Sequence, residues 1–181
     1  MRIISGKYRG LKLLEFETEG IRPTADRVKE SLFNILYGKV AGARVLDLFC
    51  GSGNLGIECL SRGADFAHFN DKSPESCALL KKNLAKIKDG NFKITNLDFA
   101  ACLNMLSGNE KFDLIFLDPP YKTEAGRGAL EIIAKRGLLA EKGIAVYERD
   151  RNFDGEVAGL EKFDERKYGK TFITFFRVVK Q

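Results

Sequence analysis

The sequence predicts an α/β fold built on a mostly parallel sheet with helices on both faces. Short β-prone runs alternate with helical patterns from about residue 44 to about residue 148, which is typical of a parallel sheet wound with helices. Two β-prone runs near the end of the chain predict an antiparallel hairpin at one edge of the sheet. Because 181 residues suffice for one domain with a substantial core, we expect a single domain. Residues 1–40 should form an N-terminal extension and residues 41–181 the main α/β core.

The N-terminal extension is predicted to contain a small basic β-hairpin and one helix. The hairpin covers Met1–Leu14, where Gly6 and Gly10 are available for turns. After Pro23, apolar residues recur at helical spacing, so residues 24–37 should form an amphipathic helix that packs on the core.

The core is predicted to alternate five strands with four helices. The predicted strands are Arg44–Leu48, Asp65–Asn70, Phe92–Asn96, Asp113–Leu117 and Gly143–Glu148. The predicted helices are Leu55–Arg62, Pro74–Ile87, Phe99–Leu106 and Ala125–Arg136. Ser73 is an expected N-cap, because Pro74 follows it at the first helical position. The closing hairpin should pair Lys162–Tyr168 with Thr171–Val178 about a turn at Gly169-Lys170.

The composition excludes several classes of protein. Hydrophobic residues make up 44% and charged residues 30% of the chain, as in soluble globular proteins and unlike disordered, collagen-like or membrane chains. The apolar runs are short, so we expect neither a transmembrane span nor a signal peptide. The four cysteines are irregularly spaced and the chain has one histidine, so we expect no metal site and buried, reduced thiols in a cytoplasmic protein.

The basic residues are concentrated at the two ends of the chain. Residues 1–44 hold nine basic and five acidic side chains, residues 161–181 hold six and three, and the segment between them has an acidic excess. Four basic residues near the start fall in a stretch without any acid: Arg2, Lys7, Arg9 and Lys12. This cluster suits contact with a polyanion such as nucleic acid, although a role in solubility explains the charge equally well.

A glycine loop follows the first predicted core strand. The segment from Gly51 to Gly56 has the pattern G-x-G-x-x-G and leads into a helix, as in Rossmann-type domains that bind a dinucleotide. Asp47, at the end of the strand, would lie badly beside a pyrophosphate but would suit a cationic ligand. S-adenosylmethionine carries an ammonium group and a sulfonium centre, so the segment from Asp47 to Gly53 favours this cofactor. A structural role, in which Asp47 accepts backbone hydrogen bonds, stays open.

Two further acidic residues follow the second and third core strands. Asp71 is placed to bind ribose hydroxyl groups, and its alternative role is to cap the helix that begins near Ser73. Asp98 can accept a hydrogen bond from an adenine amino group while Phe99 packs on the ring, or it can cap the next helix. The predicted cofactor-binding residues are Asp47, Phe49, Gly51, Gly53, Asp71, Lys72, Asp98 and Phe99.

The fourth core strand ends in Asp118-Pro119-Pro120-Tyr121, at the edge of the sheet where α/β folds bind ligands. The two prolines fix φ and present carbonyl groups rigidly, which alone would also suit a stiff turn. An amino group conjugated to a base is a poor nucleophile. If Asp118 and the Pro119 carbonyl each accept one N–H, the nitrogen can pyramidalise and direct its lone pair at a sulfonium methyl group. Tyr121 would stack on the base.

The glycine loop combined with Asp-Pro-Pro-Tyr resembles the S-adenosylmethionine-dependent methyltransferases that modify exocyclic amino groups of bases. Three further segments, Arg2–Gly10, Arg22–Asn34 and Tyr168–Thr171, are similar to the RsmD family of small-subunit ribosomal RNA guanine-N2 methyltransferases. The resemblance spans essentially the whole chain. It implies a Rossmann-like methyltransferase fold, S-adenosylmethionine as cofactor, and a guanine of small-subunit rRNA as substrate, either naked or in an assembling subunit.

The resemblance also bears on the remaining alternatives. Asp-Pro-Pro-Tyr occurs in DNA adenine and cytosine methyltransferases too, so the guanine-N2 assignment depends on the N-terminal segments. No large target-recognition domain supports a DNA enzyme, no hydride-transfer partner supports an NAD-dependent oxidoreductase, and the intact motifs disfavour a catalytically silent RNA-binding protein. His68 is interpreted as a strand residue, because no G-x-S-x-G elbow accompanies it. The predicted RNA-binding residues are Arg2, Lys7, Arg9, Lys12, Arg22 and Arg27.

Overall fold

The computed structural model describes residues 1–16, 23–120 and 123–179. The helices are α1 (Pro23–Ile35), α2 (Asn54–Ser61), α3 (Pro74–Leu84), α4 (Phe99–Met105) and α5 (Ala125–Arg136). The strands are β1 (Arg44–Asp47), β2 (Phe66–Asn70), β3 (Phe92–Thr95), β4 (Phe112–Leu117), β5 (Leu139–Arg149), β6 (Leu160–Tyr168) and β7 (Thr171–Val178). The predicted core elements are thus confirmed to within a few residues. Within the described ranges, no helix is both long and apolar enough to cross a membrane.

All seven strands belong to one sheet, in the order β3-β2-β1-β4-β5-β7-β6. β1 to β5 run parallel to one another, whereas β7 is antiparallel to both β5 and β6. The predicted C-terminal hairpin is therefore confirmed and extends the sheet beyond β5. The parallel strands all present their carboxyl ends at the same edge.

Successive residues of the central strands pack on opposite faces of the sheet. Val45 and Leu114 face a core that contains side chains of α1, α2 and α3, whereas Leu46 and Ile115 face a core formed with α4 and α5. Because both faces are covered, the middle of β1 and most of β4 are apolar. The predicted placement of helices on both faces is confirmed.

The N-terminal segment reverses direction without forming regular strands. Arg2 and Lys12 form a single antiparallel bridge. Gly6 has a φ of 86°, and a Cβ atom there would be 1.8 Å from the carbonyl oxygen of Ser61, so only glycine lets this turn lie against the end of α2. The hairpin predicted over Met1–Leu14 is present as a tight reversal, and several of its amides bind α2 side chains instead of a partner strand.

Strand β5, which lies between β4 and β7, begins four residues earlier than predicted. Leu139 pairs with Phe112 before a shift of register brings Ile144 beside Leu114. Gly143 lies at this shift, where a Cβ atom would be 2.9 Å from the carbonyl oxygen of Phe112. Gly143, the predicted first residue of the strand, therefore lies at an irregularity within it, where close backbone approach requires its small size.

Candidate active site

The two sequence motifs meet where the strand order reverses. β1 pairs with β2 on one side and with β4 on the other, so the chain winds away from this point in both directions. Asp47 pairs in register with Phe116 of β4, and the Leu48 amide donates to the Phe116 carbonyl at 3.1 Å. The glycine loop after β1 and Asp118-Pro119-Pro120 after β4 therefore leave adjacent strand ends. A crevice at such a switch point is the usual ligand site of an open α/β sheet.

Each glycine of the loop is required for a different structural reason. Gly53 has a φ of 84°, and a Cβ atom there would be 2.3 Å from Leu80 of α3. A Cβ atom at Gly56 would be 2.3 Å from the Phe69 ring, so this glycine lets α2 approach β2. Gly51 also has a positive φ, of 51°, but the space on its Cβ side is open to 4 Å. The loop is thus packed closely at Gly53 and Gly56 and open at Gly51.

Asp47 is buried beneath the loop and is only 2% exposed. Its Oδ2 accepts a hydrogen bond of 3.0 Å from the amide of Gly56. Burial raises the pKa of the Asp47 carboxyl group to about 7, against the opposing effect of that hydrogen bond. Asp47 therefore has the structural role of accepting a backbone hydrogen bond, which the sequence left open. Its contact with a cationic ligand stays a prediction.

Asp71 holds the glycine loop through both of its carboxylate oxygens. Oδ2 accepts from the Gly51 amide at 2.9 Å, and Oδ1 accepts from the Ser73 amide at 2.9 Å. The predicted cap of α3 is confirmed in Ser73, whose hydroxyl accepts from the Ser76 amide at 3.1 Å. Asp71 therefore braces the loop and leaves the capping to Ser73, while its contact with ribose stays a prediction. The neighbouring Lys72 is exposed.

Asp98 caps α4, because its Oδ1 accepts from the Ala100 amide at 2.9 Å. The predicted alternative role of Asp98 as a helix cap is thus present. Its hydrogen bond with the adenine amino group stays a prediction for this exposed carboxylate. Phe99 is half-buried and packs against Phe49 with ring centroids 5.7 Å apart. The two predicted aromatic residues therefore form one apolar surface at the carboxyl edge of the sheet.

The motif after β4 presents a carboxylate on a rigid backbone. Asp118 is exposed, Pro119 is buried, and Pro120 is exposed. The Pro120 carbonyl accepts from the Thr123 hydroxyl at 3.0 Å, which ties the motif to the residues just before α5. Tyr121 lies outside the described residues, so its stacking role stays a prediction.

Two buried asparagines that the sequence analysis did not single out support the site. Asn70 donates from Nδ2 to the carbonyls of Leu48, at 3.2 Å, and Leu97, at 3.0 Å, and so joins the loops after three strands. Asn83 of α3 donates to the Ser52 carbonyl of the glycine loop at 2.9 Å and exchanges two hydrogen bonds with the backbone of Leu14. The one feature of the sequence that could have indicated these two residues is an amide side chain at a position where the pattern calls for an apolar residue.

A buried ion pair joins the N-terminal segment and α1 to α2. Lys29 is 3% exposed, and its ammonium lies 3.1 Å from a carboxylate oxygen of the fully buried Glu58. Lys29 also donates to the side-chain oxygen of Asn54, in the first turn of α2, at 2.8 Å. Glu58 accepts in addition from the amides of Ile4, at 2.8 Å, and Ser5, at 3.0 Å. Sequence periodicity placed Lys29 and Glu58 on separate helices and gave no indication that they pair.

The predicted RNA-binding side chains of the N-terminal segment lie on the surface. Arg2, Lys7, Arg9 and Lys12 are all exposed. Two of them have acidic partners: Arg2 lies 3.6 Å from Asp26, and Lys7 pairs with Asp89. Arg27 is also exposed, and Arg22 lies outside the described residues. The exposed face is therefore basic but partly neutralised, and its contact with RNA stays a prediction.

The histidine and the cysteines are buried. His68 lies in β2 as predicted, with Nε2 3.0 Å from the Thr95 hydroxyl, and burial lowers its pKa to about 4. All four cysteines are buried, as predicted. Burial raises the pKa of the Cys50 thiol, so this residue next to the glycine loop has little thiolate character.

A glycine loop after β1 and Asp118-Pro119-Pro120 after β4 thus follow adjacent parallel strands, in a sheet whose last strand, β7, lies antiparallel beside β5. This combination of fold and site defines a Rossmann-like methyltransferase. The model of the family described as "Conserved hypothetical protein 95" matches residues 1–177. The chain belongs to this family, the RsmD family.

Individual relatives agree with this assignment. The chain is 36% identical over 181 residues to the "Putative rRNA methyltransferase YlbH" of Bacillus subtilis, covering 98% of each chain. It is 35% identical over 150 residues to the "Ribosomal RNA small subunit methyltransferase D" of Escherichia coli strain K12, covering 83% of this chain and 75% of that protein. Among solved structures, "Putative methyltransferase yhhF from Escherichia coli" matches with a TM-score of 0.86 and 31% identity, covering 100% of this chain and 99% of that one.

Proposed function

We propose that the protein transfers a methyl group from S-adenosylmethionine to the exocyclic N2 of a guanine in small-subunit ribosomal RNA. The observation that carries this proposal is the position of Asp118-Pro119-Pro120 beside the glycine loop, at the ends of the adjacent strands β4 and β1. The relatives named for rRNA methylation supply the substrate class. Family membership and the resemblance of the N-terminal segments support guanine N2 as the acceptor.

The residues of the loop fit S-adenosylmethionine. Gly51 has open space on its Cβ side, so a ligand can approach the backbone there. Around it, Asp47 would bind the ammonium group, Asp71 the ribose hydroxyls, and Asp98 the adenine amino group. Phe99 would pack against the adenine ring, with Phe49 and Lys72 at the margins of the same site. When bound, the cofactor supplies an activated methyl group on a positively charged sulfur.

At the acceptor side, Asp118 and the Pro119 carbonyl each accept one N–H of the guanine amino group. This pair of hydrogen bonds withdraws the nitrogen lone pair from conjugation and directs it at the methyl carbon. The amino nitrogen would bond to the methyl carbon as S-adenosylhomocysteine leaves, and its proton would pass to Asp118 or to water. Asp118 need not be a strong base, because the nitrogen becomes acidic as it acquires the methyl group. Tyr121 and Pro120 would hold the plane of the base.

The N-terminal extension, residues 1–40, would serve the RNA, and the core, residues 41–181, the chemistry. Arg2, Lys7, Arg9 and Lys12 would contact phosphates, with Arg22 and Arg27 nearer the mouth of the site. Because ribosomes are made and modified in the cytoplasm of bacteria, we place the enzyme there. Its substrate would be ribosomal RNA, free or in an assembling subunit.

The proposal is tested by reconstituting the reaction from purified components. The protein is incubated with S-adenosylmethionine labelled in the methyl group and with small-subunit rRNA from a strain that lacks the gene. The RNA is then digested to nucleosides and analysed by mass spectrometry. We expect the label in N2-methylguanosine. Label confined to N6-methyladenosine or N4-methylcytidine would contradict the acceptor, and transfer to DNA alone would contradict the substrate class.

A further inference from the structure

A second polar cleft lies beside the proposed active site. It has a volume of about 330 Å³ and is lined by charged and amide side chains: Glu124, Arg127, Arg149, Arg151, Asn152 and Asp154. Three guanidinium groups thus face two carboxylates. We call this feature the arginine cleft.

The arginine cleft opens at the same edge of the sheet as Asp118. Leu117, the last residue of β4, pairs in register with Tyr147 of β5. Asp118 is one residue beyond this pair and Arg149 is two residues beyond it, so both lie near the same end of the two strands. Glu124 belongs to the segment that links the Asp-Pro-Pro motif to α5. A nucleotide chain whose base is held at Asp118 would therefore pass the cleft.

The three arginines of the cleft are bound in different ways. Arg127 donates to the carbonyls of Asp154, at 3.4 Å, and Glu156, at 3.1 Å, so it anchors the loop after β5. Arg151 forms an ion pair of 3.1 Å with Glu124, in which both side chains are well exposed. Exposed pairs of this kind are weak and exchange readily for a stronger anion. Arg127 is thus structural, whereas Arg151 is exchangeable.

Arg149 has aromatic contacts but no acid to pair with in the described part of the chain. Its guanidinium carbon lies 5.2 Å from the ring centroid of Tyr147 and 5.4 Å from that of Phe153. The two rings restrict the guanidinium group. Among the described residues, its N–H donors have no carboxylate or carbonyl acceptor. A planar guanidinium held in this way is suited to bind two oxygens of a phosphate group.

We propose that the arginine cleft binds a backbone phosphate of the RNA next to the target nucleotide. Arg149 is the primary donor, and Arg151 exchanges its contact with Glu124 for the phosphate. A base drawn out of its stack requires the backbone on either side to be held, and a phosphate site beside Asp118 meets that requirement. The inference rests on the proposed function and adds to it a second RNA contact, on the side of the site formed by β5 and α5.

The test measures binding of small-subunit rRNA at several salt concentrations for matched variants. Arg149→Gln and Arg151→Gln should each weaken binding by about tenfold and reduce the salt slope by roughly 0.7–0.9. Glu124→Gln removes the competing carboxylate and should strengthen binding. Arg177→Gln is the matched control, because Arg177 is an exposed arginine of β7 that pairs with Glu161 and does not line the arginine cleft. Its affinity and slope should equal those of the wild type.

The outcomes separate this inference from the proposed function. If the wild type binds the rRNA and both arginine variants bind with the same affinity and slope, the cleft does not contact phosphate. An equal loss in Arg177→Gln, or weaker binding by Glu124→Gln, would also overturn it. If the wild type neither binds nor methylates the rRNA, the proposed function itself fails. Affinity for S-adenosylmethionine and thermal unfolding confirm that each variant is folded.

Discussion

At the scale of single residues, the two cofactor-assigned carboxylates after β2 and β3 also hold the backbone of the site, as Asp47 does. Asp71 binds the amides of Gly51 and Ser73, and Asp98 binds the amide of Ala100. A carboxylate oxygen can accept more than one hydrogen bond, so these contacts leave capacity for a ligand. A substitution at either position therefore disturbs two roles, and its controls must separate them.

Asp71→Ala should weaken binding of S-adenosylmethionine by roughly 1–3 kcal/mol, the scale of lost charge-assisted hydrogen bonds. Asp71→Asn keeps one of the two backbone acceptors, so it should destabilise the fold less than Asp71→Ala does but still lose affinity. Ser73→Ala removes the cap of α3 and should lower the free energy of unfolding by about 1 kcal/mol with little effect on cofactor binding. Calorimetry and urea unfolding measure the two quantities. An unchanged dissociation constant in Asp71→Ala would mean that Asp71 only holds the backbone of the glycine loop and does not bind the cofactor.

Asp118→Ala should lower the rate of methyl transfer by about 10²-fold or more, because it removes an acceptor that orients the reacting amine. Affinity for S-adenosylmethionine should stay within a few-fold of the wild type, since Asp118 is not assigned to the cofactor. Single-turnover transfer to rRNA and cofactor calorimetry are the measurements. Wild-type turnover in this variant would remove Asp118 from the chemistry.

At the scale of elements, Glu58 fixes the N-terminal segment and α1 to α2. Glu58→Ala removes the partner of Lys29 and the acceptor of the Ile4 and Ser5 amides. Since it leaves a buried ammonium without its carboxylate, we expect a loss of about 3–5 kcal/mol in the free energy of unfolding. Urea denaturation measures this loss. Glu161→Ala, which breaks only an exposed pair with Arg177, should cost less than about 1 kcal/mol. Equal losses in the two variants would contradict the anchoring role.

The basic face of the N-terminal segment is tested by neutralising Arg2, Lys7, Arg9 and Lys12 together. If these residues contact phosphates, RNA affinity should fall and each lost contact should reduce the salt slope by roughly 0.7–0.9. Arg2 and Lys7 have acidic partners, so their contributions should be smaller than those of Arg9 and Lys12. Affinity for S-adenosylmethionine is the control. Salt plots that coincide with those of the wild type would assign the charge to solubility.

Local elements could be predicted from the sequence because their signals are local. Ser73-Pro74 marks the start of α3, and a run of β-prone residues marks β7. The reversal of the N-terminal segment could be predicted from its glycines, but its lack of regular strands could not, since its amides bind Glu58 and Ser61, more than fifty positions away. The polar partners of Asn70 and Asn83 are likewise distant in sequence and leave no periodic pattern.

At the scale of the whole molecule, the order of the strands creates the site. The sequence predicted the strands and the loops that follow them, but only the position of β4 beside β1 brings Asp118 to the glycine loop. The pairing of strands depends on contacts across the whole fold, which no single segment encodes. The motif residues were found from local chemistry, whereas the arginine cleft required β5 and α5 to be placed together.

The central claim is that the protein methylates one guanine of small-subunit rRNA. Mass mapping of that RNA from a strain without the gene tests this claim most directly. We expect one N2-methylguanosine to be lost relative to the parent strain. Expression of the wild-type protein should restore it, and expression of Asp118→Ala at the same level should not. An unchanged set of N2-methylguanosines in the strain without the gene would contradict the account.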